Sequence, residues 1–149
     1  MQKASTSEHD YIKEDIKDTL QEIEEIYATK EKAVTISITT PLLTCPIHIE
    51  KEKFILLIQS LIDTTLTYSQ KRHIHISYRV ITGNQLIFYI RNTDICIPEA
   101  QRQLFIQQCN KELEKHKDSI ETMNGSIGVE FTAEKKITFW FTIFYRTSY

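Results

Sequence analysis

The hydrophobic period of this sequence changes five times, and the order of those changes restricts the fold more than any single motif does. From residue 7 to about 30, apolar residues recur with a helical period at Ile12, Ile16, Ile23 and Ile26, widened by Leu20 and Tyr27. Ala33 to Thr39 then alternates, with Val34, Ile36 and Ile38 on one face of a half-buried strand. A loop carrying Pro41 and Pro46 leads to a second helical stretch, Glu50 to Ser69. Its spacing turns Phe54, Leu57, Ile58, Leu61, Ile62 and Tyr68 inward, and Gln59, Ser60, Asp63, Thr67 and Gln70 outward. Two alternating runs follow, Arg72 to Ile81 and Gln85 to Arg91, joined at Thr82-Gly83-Asn84, where Gly83 or Asn84 supplies the positive φ of a tight turn. Pro98 opens a third helix with the stripe Phe105, Cys109, Leu113, His116 and Ile120, capped at Asn124-Gly125. Ser126 to Thr132 and Ile137 to Tyr145, joined across Ala133 to Lys136, form a last hairpin. Helix, strand, helix, strand, strand, helix, strand, strand predicts an α/β two-layer sandwich: a mixed, mainly antiparallel sheet with helices on one face, preceded by an N-terminal helix.

Composition narrows the chemistry. Average usage of about 7% glycine would put roughly ten in a chain of this size, and the 149 residues hold three, Gly83, Gly125 and Gly128. Loops that wrap phosphates need glycine for close backbone approach, so glycine-rich nucleotide cradles are nearly excluded. A net charge of −2 gives no global basic field, which argues against nucleic acid or an anionic membrane as partner. The apolar runs are too short to span a bilayer, and no signal-peptide pattern opens the sequence, so a cytoplasmic, soluble protein is expected. Cys45, Cys96 and Cys109 lack C-x-x-C spacing and read as small buried hydrophobes, with no metal site implied. Charge also divides the chain. Residues 1–31 carry nine acids and four bases, while the remainder carries 14 bases and 11 acids. The expected organisation is therefore a charged amphipathic segment, 1–31, and a domain, 32–149.

The N-terminal stripe is a short heptad seam: Ile12, Ile16, Ile23 and Ile26 can pair with a second copy or pack on the domain behind them. Among the histidines, His9 beside Asp10 lies too close to the following domain for a phospho-accepting pair. His73 and His75 share a strand face with Ser77 and Arg79, which reads as a solvated face before it reads as a metal pair. His116, Phe139, Trp140 and Phe141 read as ordinary packing, and no Ser-His-Asp set or paired carboxylates emerge.

Three stretches in order, Phe54 to Ser69, Arg91-Asn-Thr-Asp-Ile-Cys-Ile-Pro98-Glu99 and Asn124-Gly125-Ser126-Ile127, carry a family likeness. Over residues 33 to 146 the sequence resembles the ATP-binding domain of sensor histidine kinases, of the GHKL or Bergerat ATPase fold. In that family a helix carries L-L-x-N-A-x-K-Y-T, a strand runs into D-x-G-x-G-I-P, and late strands read G-G-x-I and T-F-x-F.

The resemblance implies site positions, and this sequence departs from the family at each. Matching Tyr68-Ser69 to the family's Y-T puts Thr64 at the Mg²⁺-binding Asn and Thr67 at the Lys. Thr64 shares a helical face with Leu57, Leu61 and Tyr68, and a hydroxyl is a poorer hard-cation ligand than an amide oxygen. The alternation Leu86, Phe88, Ile90, Asn92 puts Asn92 on the buried face, at the Asp that accepts from the adenine amine. Its amide oxygen can still accept, without the strength of a charged acceptor. Asp94 and Cys96 replace the two glycines and crowd the purine, and Gln101 to Met123 lacks the glycines of the family's lid. These departures imply a degenerate, pseudo-ATPase domain working as an interaction or regulatory module in two-component signalling, with part of a sensor kinase or a response regulator as partner and a homodimer through the helical seam. No cofactor is then expected. The alternatives are an active kinase domain using ATP and Mg²⁺ through atypical ligands, and an unrelated α/β binding module; Mg-ATP binding separates the first two.

Overall fold

The structure, a computed structural model, describes residues 11–30, 34–39, 46–69, 72–82, 85–132 and 136–144. Strand β1 (Tyr11–Asp15) runs into α1 (Ile16–Lys30), followed by β2 (Thr35–Thr39), β3 (Pro46–Glu50) and α2 (Lys51–Leu66). A long hairpin, β4 (His73–Thr82) and β5 (Gln85–Asn92), leads through a 3-10 turn at Glu99–Gln101 into α3 (Arg102–Thr122). Strands β6 (Ile127–Thr132) and β7 (Lys136–Phe144) complete the domain. The main sheet has the order β2-β4-β5-β7-β6, with β2 parallel to β4 and every other pair antiparallel. This is the mixed sandwich expected from the periods. The turns at Gly83-Asn84 and residues 133–135, His9, Asp10 and Cys45 lie outside the described residues.

Alternation decides which face of the sheet is core. Along β5, Leu86, Phe88, Ile90 and Asn92 are buried while Gln85, Ile87, Tyr89 and Arg91 are only partly covered. Phe88 stacks on Phe141 at 4.9 Å and on Tyr78 at 5.3 Å, and Phe54 of α2 meets Phe88 edge-on at 5.3 Å. These ring contacts seat α2 over the centre of the sheet. On α3 the expected stripe holds: Phe105, Cys109, His116 and Ile120 are buried, and His116 Nε2 donates to Glu112 at 3.0 Å. Burial, then Glu112, pushes the Cys109 thiol up to about 12. Cys96 corrects the reading of the cysteines, because it is exposed.

Two expectations about the first fifty residues are overturned. The helix does not run through Ile12: residues Tyr11 to Asp15 form β1, paired antiparallel with β3 from Tyr11 opposite Glu50 to Asp15 opposite Pro46. The stretch around Pro46 is thus a strand, with the proline at its first residue, where a missing N–H costs least. The cause is non-local: each strand exists because of a partner 31 to 39 residues away, which no local period reports. The helical seam shrinks accordingly. Ile16 and Ile23 are fully buried with Leu20 and Tyr27 in the chain's own core, and Ile26 is half-buried.

The cap of α3 separates two roles for the expected Asn124-Gly125 pair. Asn124 takes the left-handed conformation, φ 55°, and Gly125 N–H closes the helix onto Ile120 O at 3.0 Å. Gly125 is required by crowding, since a Cβ there would lie 1.7 Å from the carbonyl oxygen of Thr142.

Candidate functional site

The residues expected to line a nucleotide pocket meet where the end of α2 faces the segment after β5. The last turn of α2 is buried in hydrophobic surroundings, so its short polar residues satisfy themselves locally. The Thr64 hydroxyl donates to Ser60 O at 2.9 Å, that of Thr65 to Ile62 O at 2.9 Å, and that of Thr67 to Thr64 O at 3.0 Å. Thr64 and Thr65 are buried and Thr67 is exposed, as the helical spacing requires. The helix ends at Leu66, before the expected Ser69, and Tyr68 is half-buried with its ring edge-on to Phe105 of α3 at 5.3 Å.

Asn92 closes the other side. It is fully buried, its amide nitrogen donates to Thr65 O at 3.2 Å, and its amide oxygen accepts the N–H of Asp94 at 3.0 Å. The chain after β5 is stitched to the helix end in two further places. Ser69 and Ile95 form an antiparallel bridge, with Cys96 N–H donating to Tyr68 O at 2.9 Å, and the Ser69 hydroxyl donates to Asp94 Oδ1 at 3.0 Å. Arg72, with φ 55°, gives its N–H to the Ser69 oxygen at 3.0 Å. Tyr68, Asn92, Asp94 and Cys96 are therefore brought together, with Ile95 and Phe105 buried beside them. A cavity of about 140 Å³ borders Ile95, Ile97, Arg102, Ile106 and Phe131, and neither Asn92 nor Thr64 lines it.

Thr65, Ser69 and Phe105 complete this constellation although no site reading of the sequence singled them out. Thr65 contributes a main-chain carbonyl, which any residue carries, so nothing in its identity could have revealed it. Ser69 had a signal, a short hydroxyl just past the end of a helix, where such residues bond neighbouring main chain. Behind the site, α3 runs unbroken from Arg102 to Thr122.

No family model matches the sequence, and no curated protein matches it closely enough to count. Solved structures do match. Full-length ShkA in complex with AMPPNP superposes with a TM-score of 0.73 at 18% identity, over 93% of this chain and 32% of that one. The ATP-binding domain of PrrB from Mycobacterium tuberculosis gives 0.68 at 15% identity, over 93% and 99%. Histidine kinase ThkA, in complex with the response regulator TrrA, gives 0.64 at 14% identity, over 92% and 42%. The fold is that of a histidine-kinase ATP-binding domain. This chain spans about a third of full-length ShkA and nearly all of the isolated PrrB domain. Among the described residues of this kinase-type fold, no helix is long and apolar enough to cross a membrane.

Proposed function

We propose that this domain is a degenerate histidine-kinase-like ATPase: it keeps the fold for protein–protein work in two-component signalling and has given up Mg-ATP chemistry. Asn92 carries the reading. It stands where the resembling family places an adenine-binding carboxylate, and here it has no exposed surface and both ends of its amide engage main chain of the same domain. Its amide oxygen keeps a second lone pair, but with no surface exposed an adenine amine reaches it only if the groups packed over Asn92 move apart. The position assigned to a magnesium ligand supports the same reading, because Thr64 is buried and a hydroxyl is a poorer hard-cation ligand than the amide oxygen of the resembling family. The residues present therefore fit Mg-ATP poorly. Where the family has a lid, α3 offers an unbroken helix.

Partners follow from the neighbours and from α1. ThkA is seen with a response regulator, which supports a response regulator, or the remainder of a sensor kinase, as partner. Because Ile16 and Ile23 are used inside the domain, a dimer through the original seam is not part of the proposal. The test is titration of the full chain with Mg-ATP by calorimetry and thermal shift. The expected result is no saturable heat and an unchanged melting temperature up to low millimolar nucleotide. Saturable binding with a rise in melting temperature overturns the degenerate reading.

A further inference from the structure

The sheet has a second face, made of the residues that alternate with the core. Across β4, β5, β7 and β6, one row on this face reads Ser77, Tyr89, Trp140 and Gly128, and the next reads His75, Arg91, Thr138 and Glu130. Trp140, expected to be ordinary packing, is half-buried here while Phe139 and Phe141 are in the core. Its indole lies against Gly128, where a Cβ would come within 2.5–2.9 Å of the ring. Tyr89 holds two guanidinium groups, one toward each end of β5. Arg91 Cζ is 4.8 Å from the ring centroid and Arg79 Cζ is 6.0 Å away, and Arg79 Nη2 donates to Tyr89 Oη at 3.2 Å. Neither guanidinium forms an ion pair among the described residues. A shallow depression of about 440 Å³ opens between Ser77, Arg79, Tyr89 and Arg91.

We propose that this open sheet face is a docking surface for a protein segment that carries carboxylates beside an apolar or aromatic side chain. The carboxylates would sit on Arg79 and Arg91, and the apolar group on Trp140 and Tyr89. Charge complementarity selects this occupant. In the two rows Glu130 is the one acid, and Arg79 and Arg91 lie on the same face. Guanidinium groups bind carboxylates through paired, charge-assisted bonds, and the Tyr89 ring and hydroxyl hold them in place before binding, which lowers the ordering cost. Tryptophan, tyrosine and arginine are the residues most enriched among those that dominate interface energies. Burial first, then the charges of Arg91 and His73, hold the His75 pKa below the usual histidine value. A second copy packed through this same face would set like charges together, and two arginines neutralise too few phosphates for a nucleic acid.

The test is independent of the nucleotide question, since it reads a different surface. Trp140 is the sole tryptophan, so its emission reports this face alone. The full chain is titrated with a short synthetic peptide of glutamates around one central phenylalanine, with its lysine counterpart, and with oligothymidylate. The expected result is a saturable emission change for the acidic peptide only, weakened about tenfold in Arg79→Glu/Arg91→Glu, and reduced by added salt. If that double variant melts early, Arg79→Gln/Arg91→Gln serves, with a smaller loss. No saturable change, equal binding by the variants, preference for either control probe, or a doubling of solution mass on the same transition overturns the proposal.

Discussion

At Asn92 a single amide decides what the end of α2 can do. Alternation along β5 was enough to place it on the buried face, and it is there. What alternation could not reveal is that Thr65 O lies within reach of its NH₂ end, because that carbonyl belongs to a helix 27 residues earlier. Restoring the family's carboxylate tests the point. In Asn92→Asp one carboxyl oxygen would face the Thr65 carbonyl with no donor between them. Both this repulsion and burial raise the folded-state pKa above the unfolded value of about 3.9. A raised pKa contributes stability that is present below the unfolded value and lost as pH rises through the folded one. The variant is expected to be destabilised by about 2–4 kcal/mol at neutral pH and to recover most of that near pH 4. Denaturant melts at the two pH values check this, and equal losses at both would remove the assigned contact.

Among the elements, α1 shows the limit of reading a stripe without its partner. The four-three spacing correctly announced a helix that needs to be covered, and left open what covers it. In the structure the cover is the domain itself. The Tyr27 hydroxyl donates to Asp63 Oδ1 at 2.6 Å and to Gln59 O at 3.2 Å, and Lys51 pairs with Glu22 at 2.8 Å, all between α1 and α2. Ile23→Ala is accordingly expected to cost about 2–5 kcal/mol by opening a cavity in the core. Tyr27→Phe should cost about 1–2 kcal/mol through the lost bonds to α2. Chemical denaturation measures both, and a stable Ile23→Ala monomer would show that α1 does not belong to the core. The pair β1 and β3 was illegible for a different reason: β1 continues a helical period into a segment whose conformation is set by pairing with residues far along the chain.

For the whole molecule, one hydrophobic cluster joins Ile16, Leu20 and Ile23 of α1 to Phe54 of α2, Phe105 of α3 and Phe88, Phe139 and Phe141 of the sheet. Continuity of that kind predicts a single cooperative transition. The helical signal and the emission of Trp140, which sits on the opposite sheet face, should fall together on heating. Two separated transitions would instead support the division at residue 31 that the charge distribution suggested. By itself, the sequence determined the order of the main elements, the buried stripes of α2 and α3, the inner face of the sheet and the scarcity of glycine for phosphate binding. These are local properties, carried by the period of side chains along the backbone. Only the tertiary structure decided that β1 pairs with β3, that α1 is used up by its own domain, that Asn92 is bonded to main chain, and that Trp140 lies with two arginines on the open face. Each of those depends on which distant group fills the space a side chain points into, and hydrogen bonds and burial between distant residues leave no periodic trace in the chain.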